Sequence, residues 1–250
     1  MNNPDAPSRS PARAWLLAAR PRTLTASVAP VAVGTALALD AGAFRLLPAL
    51  AALAGGLLIQ IGTNFANDVL DHRRGADTAE RLGPTRVVQA GLLSDRAVAR
   101  GAAVAFGLAA LVGLYLVRVG GWPILLLGMA SIASGVLYTA GPYPLAYVGL
   151  GDVFVMLFFG LAAVTGTYYV QAGALHPAAV PLGVAAGALS VAILAVNNLR
   201  DLDTDRAAGK RTLAVRIGDA RTRAYYGTML ALAFVVPLAQ VVFLMIRRPP

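Results

Sequence analysis

Apolar residues fall into seven long runs, at 23–39, 46–66, 97–117, 122–140, 151–170, 178–198 and 224–246, separated by polar segments. Each run approaches the roughly 20 residues a helix needs to cross the hydrocarbon core of a bilayer. None keeps up the two-residue alternation of a half-buried strand. The runs are rich in Ala, Leu, Val and Gly, and small side chains let helices approach closely in lipid. The pattern predicts an all-α, polytopic transmembrane helical bundle seated in the lipid bilayer. Residues 1–14, polar and with three prolines, are expected to form a disordered N-terminus. Trp15 to Arg20 reads as a short interfacial helix with an aromatic anchor.

Composition narrows the function classes. Of 250 residues, 58% are hydrophobic and 13% charged, against roughly 25% charged in globular chains. That excludes a disordered chain and an ordinary soluble domain. The absence of cysteine excludes a disulfide scaffold, a thiolate zinc site, an iron–sulfur cluster and thiol catalysis. His72 and His176, the two histidines, are too few for a His-rich metal centre. A net charge of +9 would point to nucleic acid only if the basic residues formed one soluble face. They lie in the connections instead. With the N-terminus inside, 17 of the 21 Lys and Arg residues face the cytoplasm, and only Arg45, Arg118, Arg247 and Arg248 lie opposite. Such a bias sets membrane orientation. No nucleic-acid partner is expected, and no obligate protein partner is evident.

Half of the twelve acidic residues fall in two clusters at the cytoplasmic ends of spans. The first runs Asn64-Phe-Ala-Asn67-Asp68-Val-Leu-Asp71-His-Arg-Arg-Gly-Ala-Asp77. On a helix continuing from the second span, Asn64 and Asp68 lie about 40° apart and Asp68 and Asp71 about 60° apart, which makes one stripe. Asp77 leaves that stripe unless the helix breaks, and Gly75 is the candidate break. The second cluster is Asn197-Asn198-Leu-Arg200-Asp201-Leu-Asp203-Thr-Asp205. Here Asn198, Asp201 and Asp205 share a face within about 60°, and Asp203 points elsewhere.

Carboxylates gathered at a membrane boundary repel one another and are costly to desolvate. Mg²⁺ relieves that cost, because it is held by one or two carboxylates together with substrate phosphates. One such cluster reads equally well as a solvated helix end. Two, each preceded by Asn and each continuous with a span, point to a diphosphate held between metal ions. Nearby Arg and Lys would contact its phosphates directly. An ion or solute transporter is the reading from another class. A transporter should show polar or broken helices at the bilayer midplane, whereas these acids sit at span ends.

The sequence resembles the UbiA superfamily of membrane prenyltransferases at these residues. Asn67-Asp68-x-x-Asp71 matches the family's first motif, and the six-residue step to Asp77 is similar to the MenA branch, which acts on 1,4-dihydroxy-2-naphthoate. So are Asp77-Thr-x-x-Arg81-x-Gly83-Pro84-x-Arg86 and the second motif, Asn197-Asn198-x-Arg200-Asp201-x-x-x-Asp205-x-x-x-Gly209-Lys210. Arg20-Pro21-Arg22-Thr23, Tyr138-Thr-x-Gly141-Pro142 and Gly149-Leu-Gly151-Asp152 extend the likeness, which runs from about residue 13 to about 240.

The resemblance implies a bundle around a central cavity capped by cytoplasmic acidic loops, in a bacterial inner membrane. It implies that a polyprenyl diphosphate binds through Mg²⁺ at Asp68, Asp71, Asp77, Asp201 and Asp205, helped by Asn64, Asn67 and Asn198. The prenyl group would pass to 1,4-dihydroxy-2-naphthoate with loss of diphosphate and CO₂, giving demethylmenaquinone. 4-Hydroxybenzoate and homogentisate are the rival acceptors. Arg22, Arg73, Arg74, Lys210 and Arg211 are candidate diphosphate contacts. An allylic cation needs a dry site with π-faces nearby, and Phe65, Tyr138, Tyr143, Phe158, Phe159, Tyr168 and Tyr169 are candidates for it.

Two features depart from the family. Pro142 stands where many members carry Lys, four residues after the Tyr corresponding to Tyr138. The family usually has nine spans, against seven read here. The expectation is therefore one transmembrane domain over 15–246, truncated at its C-terminal end, with 247–250 an artefactual tail.

Overall fold

The computed structural model describes residues 10–75 and 83–247. Ser10 opens the first helix, α1 (Pro11–Ala19), by accepting the Arg13 N–H on its hydroxyl, and Pro11 fills the first position, where no N–H is needed. Residues 11–14, expected to be disordered, are therefore helical. Arg20 then takes a left-handed conformation at φ +53°, and Pro21 restarts the chain as α2 (Pro21–Asp40). Proline disfavours the helical conformation in the residue before it, so this elbow is encoded in Arg20-Pro21.

The chain continues as α3 (Leu46–Arg73), α4 (Asp95–Gly120), α5 (Trp122–Leu137), α6 (Gly151–Val155), a π-helical stretch Met156–Ala162 and α7 (Ala163–Ala172). It ends with α8 (Ala179–Arg200), the short α9 (Leu202–Ala207) and α10 (Leu213–Ile217), and α11 (Asp219–Arg247). There is no strand among the described residues. α6 to α7 run on as one apolar rod, Gly151–Ala172.

Among the described residues, six helices are long and apolar enough to cross a membrane. The fourth expected span, 122–140, is a shorter apolar helix of 16 residues. At 1.5 Å per residue it spans about 24 Å, short of a hydrocarbon core of about 30 Å. Gly141-Pro142 and Pro144 follow it and stop its extension.

Burial is sorted by size. Ala102, Ala105, Ala109, Ala188, Ala192 and Ala195 are buried, whereas Leu47, Leu111, Leu114, Phe234 and Leu238 are exposed. Close backbone approach holds such a bundle together, and the large side chains face outward. One close crossing lies between the π-helical stretch and α8. A Cβ on Gly160 would sit 2.5 Å from the Gly183 carbonyl oxygen and 2.6 Å from the Gly187 Cα.

The two poles differ. At one, the connections are short, and buried Gln171 ties them together. It accepts from the Arg45 N–H at 3.3 Å and donates to Thr35 Oγ1 at 3.4 Å and to the Thr167 carbonyl at 3.0 Å. At the other, acidic pole the connections 74–94, 138–150 and 201–218 are long. The second and third lie against each other through Gly149, whose φ is +72°. A Cβ there would meet Arg216 Nε at 2.8 Å, so only glycine lets Arg216 Nη2 donate to the Val148 carbonyl at 2.8 Å.

α3 stays helical to Arg73 and breaks at Gly75, with φ +66°, as expected. Asp68, expected among the metal ligands, faces another way. It is 1% exposed, and its carboxylate accepts the Val87 N–H at 3.1 Å and the Val88 N–H at 3.3 Å. Val87 is fully buried in a cluster with Phe65, Val69 and Val98. Backbone donors carried into such a place need an acceptor, and Asp68 supplies it.

Gly160→Val should lower stability in detergent by about 1–3 kcal/mol or more, because the obstruction is backbone; thermal melting reads this. Asp68→Ala should leave two buried N–H groups unpaired, at about 1–3 kcal/mol each. Amide exchange should then speed up at 87–93 and stay unchanged in α8. Unchanged exchange at Val87 and Val88 would refute the anchor.

Candidate active site

A cavity of about 550 Å³ opens at the acidic pole and descends between the helices. Gln60, Thr63, Asn64, Asn67 and Asp71 of α3 line one side. Spacings of three, four and seven residues among them put them on one stripe of the helix. Asn197, Asn198 and Asp201 at the end of α8, and Asp205 of α9, line the other side. Below this rim the wall is apolar, with Val31, Leu127, Ile132, Phe154, Phe158 and Phe159.

Asp71 is 4% exposed and fully engaged. Its Oδ2 accepts from Arg86 Nη2 at 2.9 Å and Lys210 Nζ at 3.2 Å, and its Oδ1 accepts from the Tyr147 hydroxyl at 2.8 Å. Asp201 is gripped by its neighbour, with Arg200 Nε and Nη2 each donating to one of its oxygens at 2.8 Å. A fork of this kind is the stronger class of ion-pair contact. Arg200 Nη1 also donates to Asn197 Oδ1 at 3.2 Å. On α3, Asn67 Oδ1 accepts from Thr139 Oγ1 at 2.5 Å. Asn64 Nδ2 donates to the Ala19 carbonyl at 2.9 Å and Thr23 Oγ1 at 3.1 Å, fastening the α1–α2 elbow to the rim. Lys210 reaches the site through a tight return, its N–H donating to the Asp205 carbonyl at 2.8 Å.

Two phenols stand beside these acids. Burial, with Asp152, Asp71 and Asp205 nearby, holds the Tyr138 hydroxyl well above the ordinary tyrosine range. Burial and the Asp71 charge do the same for Tyr147. The Tyr147 hydroxyl is the donor of the 2.8 Å hydrogen bond to Asp71 Oδ1.

The expected residues separate. Asn64, Asn67, Asp71, Asn198, Asp201, Asp205, Lys210, Tyr138, Phe158 and Phe159 line the cavity. Asp77 lies outside the described residues. Asp68 anchors the 86–93 segment. Arg73 pairs with Asp95 on the surface at 2.8 Å, and Arg22 and Arg211 are exposed. Arg74 donates to the Gly141 carbonyl and lies 5.1 Å from the Tyr147 ring centre. Phe65 packs edge-on to Trp15 at 5.4 Å, in the Val87 cluster. Tyr168 packs with Leu37, its ring 5.4 Å from that of His176.

Sequence reasoning missed Arg20, Thr23 and Thr139 as cavity residues and Tyr147 as a partner of Asp71. It read Arg86 and Arg200 only as orientation charge and motif. The signal for those two was available: buried carboxylates need cations, and these lie at the acidic pole. The arrangement presents oxygen donors on two facing rims, cations beside them and an apolar depth. It suits an anion with a hydrocarbon tail.

Comparison with known proteins gives the family. Residues 27–248 match the UbiA prenyltransferase family. The chain is 42% identical over 224 residues to the 1,4-dihydroxy-2-naphthoate octaprenyltransferase of Escherichia coli (strain K12), covering 87% of this chain and 73% of that protein. It is 44% identical over 222 residues to the protein of the same name from Mycobacterium tuberculosis (strain ATCC 25618 / H37Rv), covering 89% and 76%. Its fold is similar to that of a UbiA homolog from Archaeoglobus fulgidus bound to GPP and Mg²⁺, with a TM-score of 0.71, 19% identity, and coverage of 94% of this chain and 79% of that one. An integral membrane protein by the six long apolar helices among its described residues, the chain belongs to the UbiA prenyltransferase family.

Proposed function

We propose that this chain transfers a polyprenyl group from an allylic diphosphate to 1,4-dihydroxy-2-naphthoate, with Mg²⁺ as cofactor and loss of CO₂, in menaquinone biosynthesis. The carrying observation is that both acidic helix ends line one cavity whose lower wall is apolar. The acceptor assignment draws on the names of the relatives above, and the allylic donor on the GPP and Mg²⁺ of the solved homolog.

The donor set fits Mg²⁺. The rim groups Asn67, Asp71, Asn198, Asp201 and Asp205 offer oxygen, the ligand atom this ion takes. Among the described residues no three acids converge on one point. That suits an ion completed by substrate phosphates rather than a cage made by protein alone. Asp71, Asp201 and Asp205, with Asp77 beyond the described residues, would hold the metal. When bound, Mg²⁺ supplies Lewis-acid charge that stabilises the departing diphosphate.

The chain's own groups do the rest. Lys210, Arg86 and Arg200 stand at the rim to receive phosphate oxygens. Phe158, Phe159 and Tyr138 present ring faces to the allylic carbon and keep water from it. The bond from prenyl C1 to the bridging oxygen breaks, and its electron pair leaves with the diphosphate. A carbon–carbon bond forms from C1 to the ring carbon bearing the carboxylate. That carboxylate departs as CO₂ and its bonding pair restores the aromatic ring, so the product is demethylmenaquinone at the quinol level.

Membranes carrying this chain should form prenylated naphthoquinol from a labelled allylic diphosphate with Mg²⁺, and none with EDTA. Asp71→Asn and Asp201→Asn should each lower turnover by at least about a hundredfold, since each removes a carboxylate that would hold the Mg²⁺ facing the developing anion. Product from 4-hydroxybenzoate alone would overturn the acceptor, and near-normal turnover in both variants would sink the metal site. The charge bias supports a cytoplasmic acidic pole. The cysteine-free chain allows a direct check. Asp203→Cys should react with an impermeant maleimide only in inside-out vesicles, and Leu175→Cys only in right-side-out ones.

A further inference from the structure

Tyr147 lies in the 138–150 connection, yet two groups of the diphosphate site and the neighbouring Arg74 meet at its side chain. Its hydroxyl donates to Asp71 Oδ1 at 2.8 Å. The Lys210 ammonium stands 4.9 Å from its ring centre and the Arg74 guanidinium 5.1 Å. Its backbone is fixed from both sides. The Arg211 N–H donates to its carbonyl at 2.9 Å, and its own N–H donates to the Pro144 carbonyl at 2.8 Å.

We propose that Tyr147 is a positioning residue of the diphosphate site, whose hydroxyl aims the Asp71 carboxylate and whose ring seats Lys210 and Arg74. The last torsion of an aspartate is broad. Arg86 and Lys210 both pull on Oδ2, so a second contact at Oδ1 sets the plane in which Asp71 presents its oxygens. Lys210 has a flexible four-carbon stem. Between Oδ2 and the ring face its ammonium has a defined place, and such cation–ring contacts strengthen as water is excluded. The residue thus couples the acid of α3 to the basic residue 139 positions later that stands beside it.

This inference rests on reading the cavity as a Mg²⁺–diphosphate site, and one experiment separates the two. The full chain in detergent is titrated calorimetrically with geranyl thiolodiphosphate, a slowly ionising allylic analogue, in Mg²⁺ or in EDTA. Y147F keeps the ring and removes the hydroxyl. It should weaken binding about tenfold in Mg²⁺, as expected for a lost hydrogen bond to a charged group, leave binding in EDTA unchanged, and melt near the wild type. Y147L removes the ring as well and should weaken both arms. In a D71N background, Y147F should cost nothing further.

Wild-type binding by Y147F, equal weakening of its two arms, or an added loss on D71N would overturn the inference. Y147L no weaker than Y147F in EDTA would overturn the ring's part, and if Y147L melts early, Y147F decides alone. No analogue bound by the wild type would overturn the diphosphate reading itself.

Discussion

A carboxylate buried where a membrane bundle meets water is the constraint on which the acidic pole depends. Asp71 is held by Arg86, Lys210 and Tyr147 together. Each partner comes from a different segment: the chain before α4, the return after α9, and the loop between α5 and α6. Removing a charged group from water costs several kcal/mol unless partners replace the water. The segments that supply them are drawn over the end of α3 as a consequence. Helix packing makes the bundle, but this one charge organises its polar cap.

The bundle below follows a different rule. Lipid offers no hydrophobic drive to bring helices together, so contact depends on how closely backbones approach. That explains why alanines and glycines are inside and leucines outside, and why the π-helical stretch crosses α8 at glycines on both sides. The crossing leaves an apolar hollow beneath the acidic rim. Polar cap and hollow are thus separate solutions stacked along one axis, and the reactive centre of a lipid diphosphate is split the same way.

Much of this was legible in the sequence. Run length and hydropathy located the spans, the Gly75 break was read correctly, and the paired acidic ends met across one cavity. Orientation about a helix axis was harder. Spacing gives angles between residues on one helix, but not which neighbour each faces. Asp68 and Asp71 share a stripe, and rotation by about 60° separates a loop anchor from a cavity acid. The reading placed Phe65 and Tyr168 in the cavity by residue type, and packing sends them to other clusters. Tyr147 carried no local signal at all, since its partner lies 76 positions away. Arg86 and Arg200 were counted as orientation charge because a charge bias does not distinguish a cation facing solvent from one facing a carboxylate.

The pairing of those cations explains why a metal belongs to the proposed reaction. Asp71 is paired with Arg86 and Lys210, and Asp201 with Arg200, so these two rim acids are already neutralised before anything binds. A bare diphosphate entering the rim would set new negative charge against three carboxylates in a medium where Coulomb terms are large. In the proposed reaction the same anion accompanied by divalent cations would arrive nearly neutral and exchange partners instead: phosphate oxygens would take the guanidinium and ammonium groups, and the carboxylates would hold the metal. The exchange requires that the acids and bases already stand side by side. Asp71 with Lys210, and Asp201 with Arg200, have that arrangement.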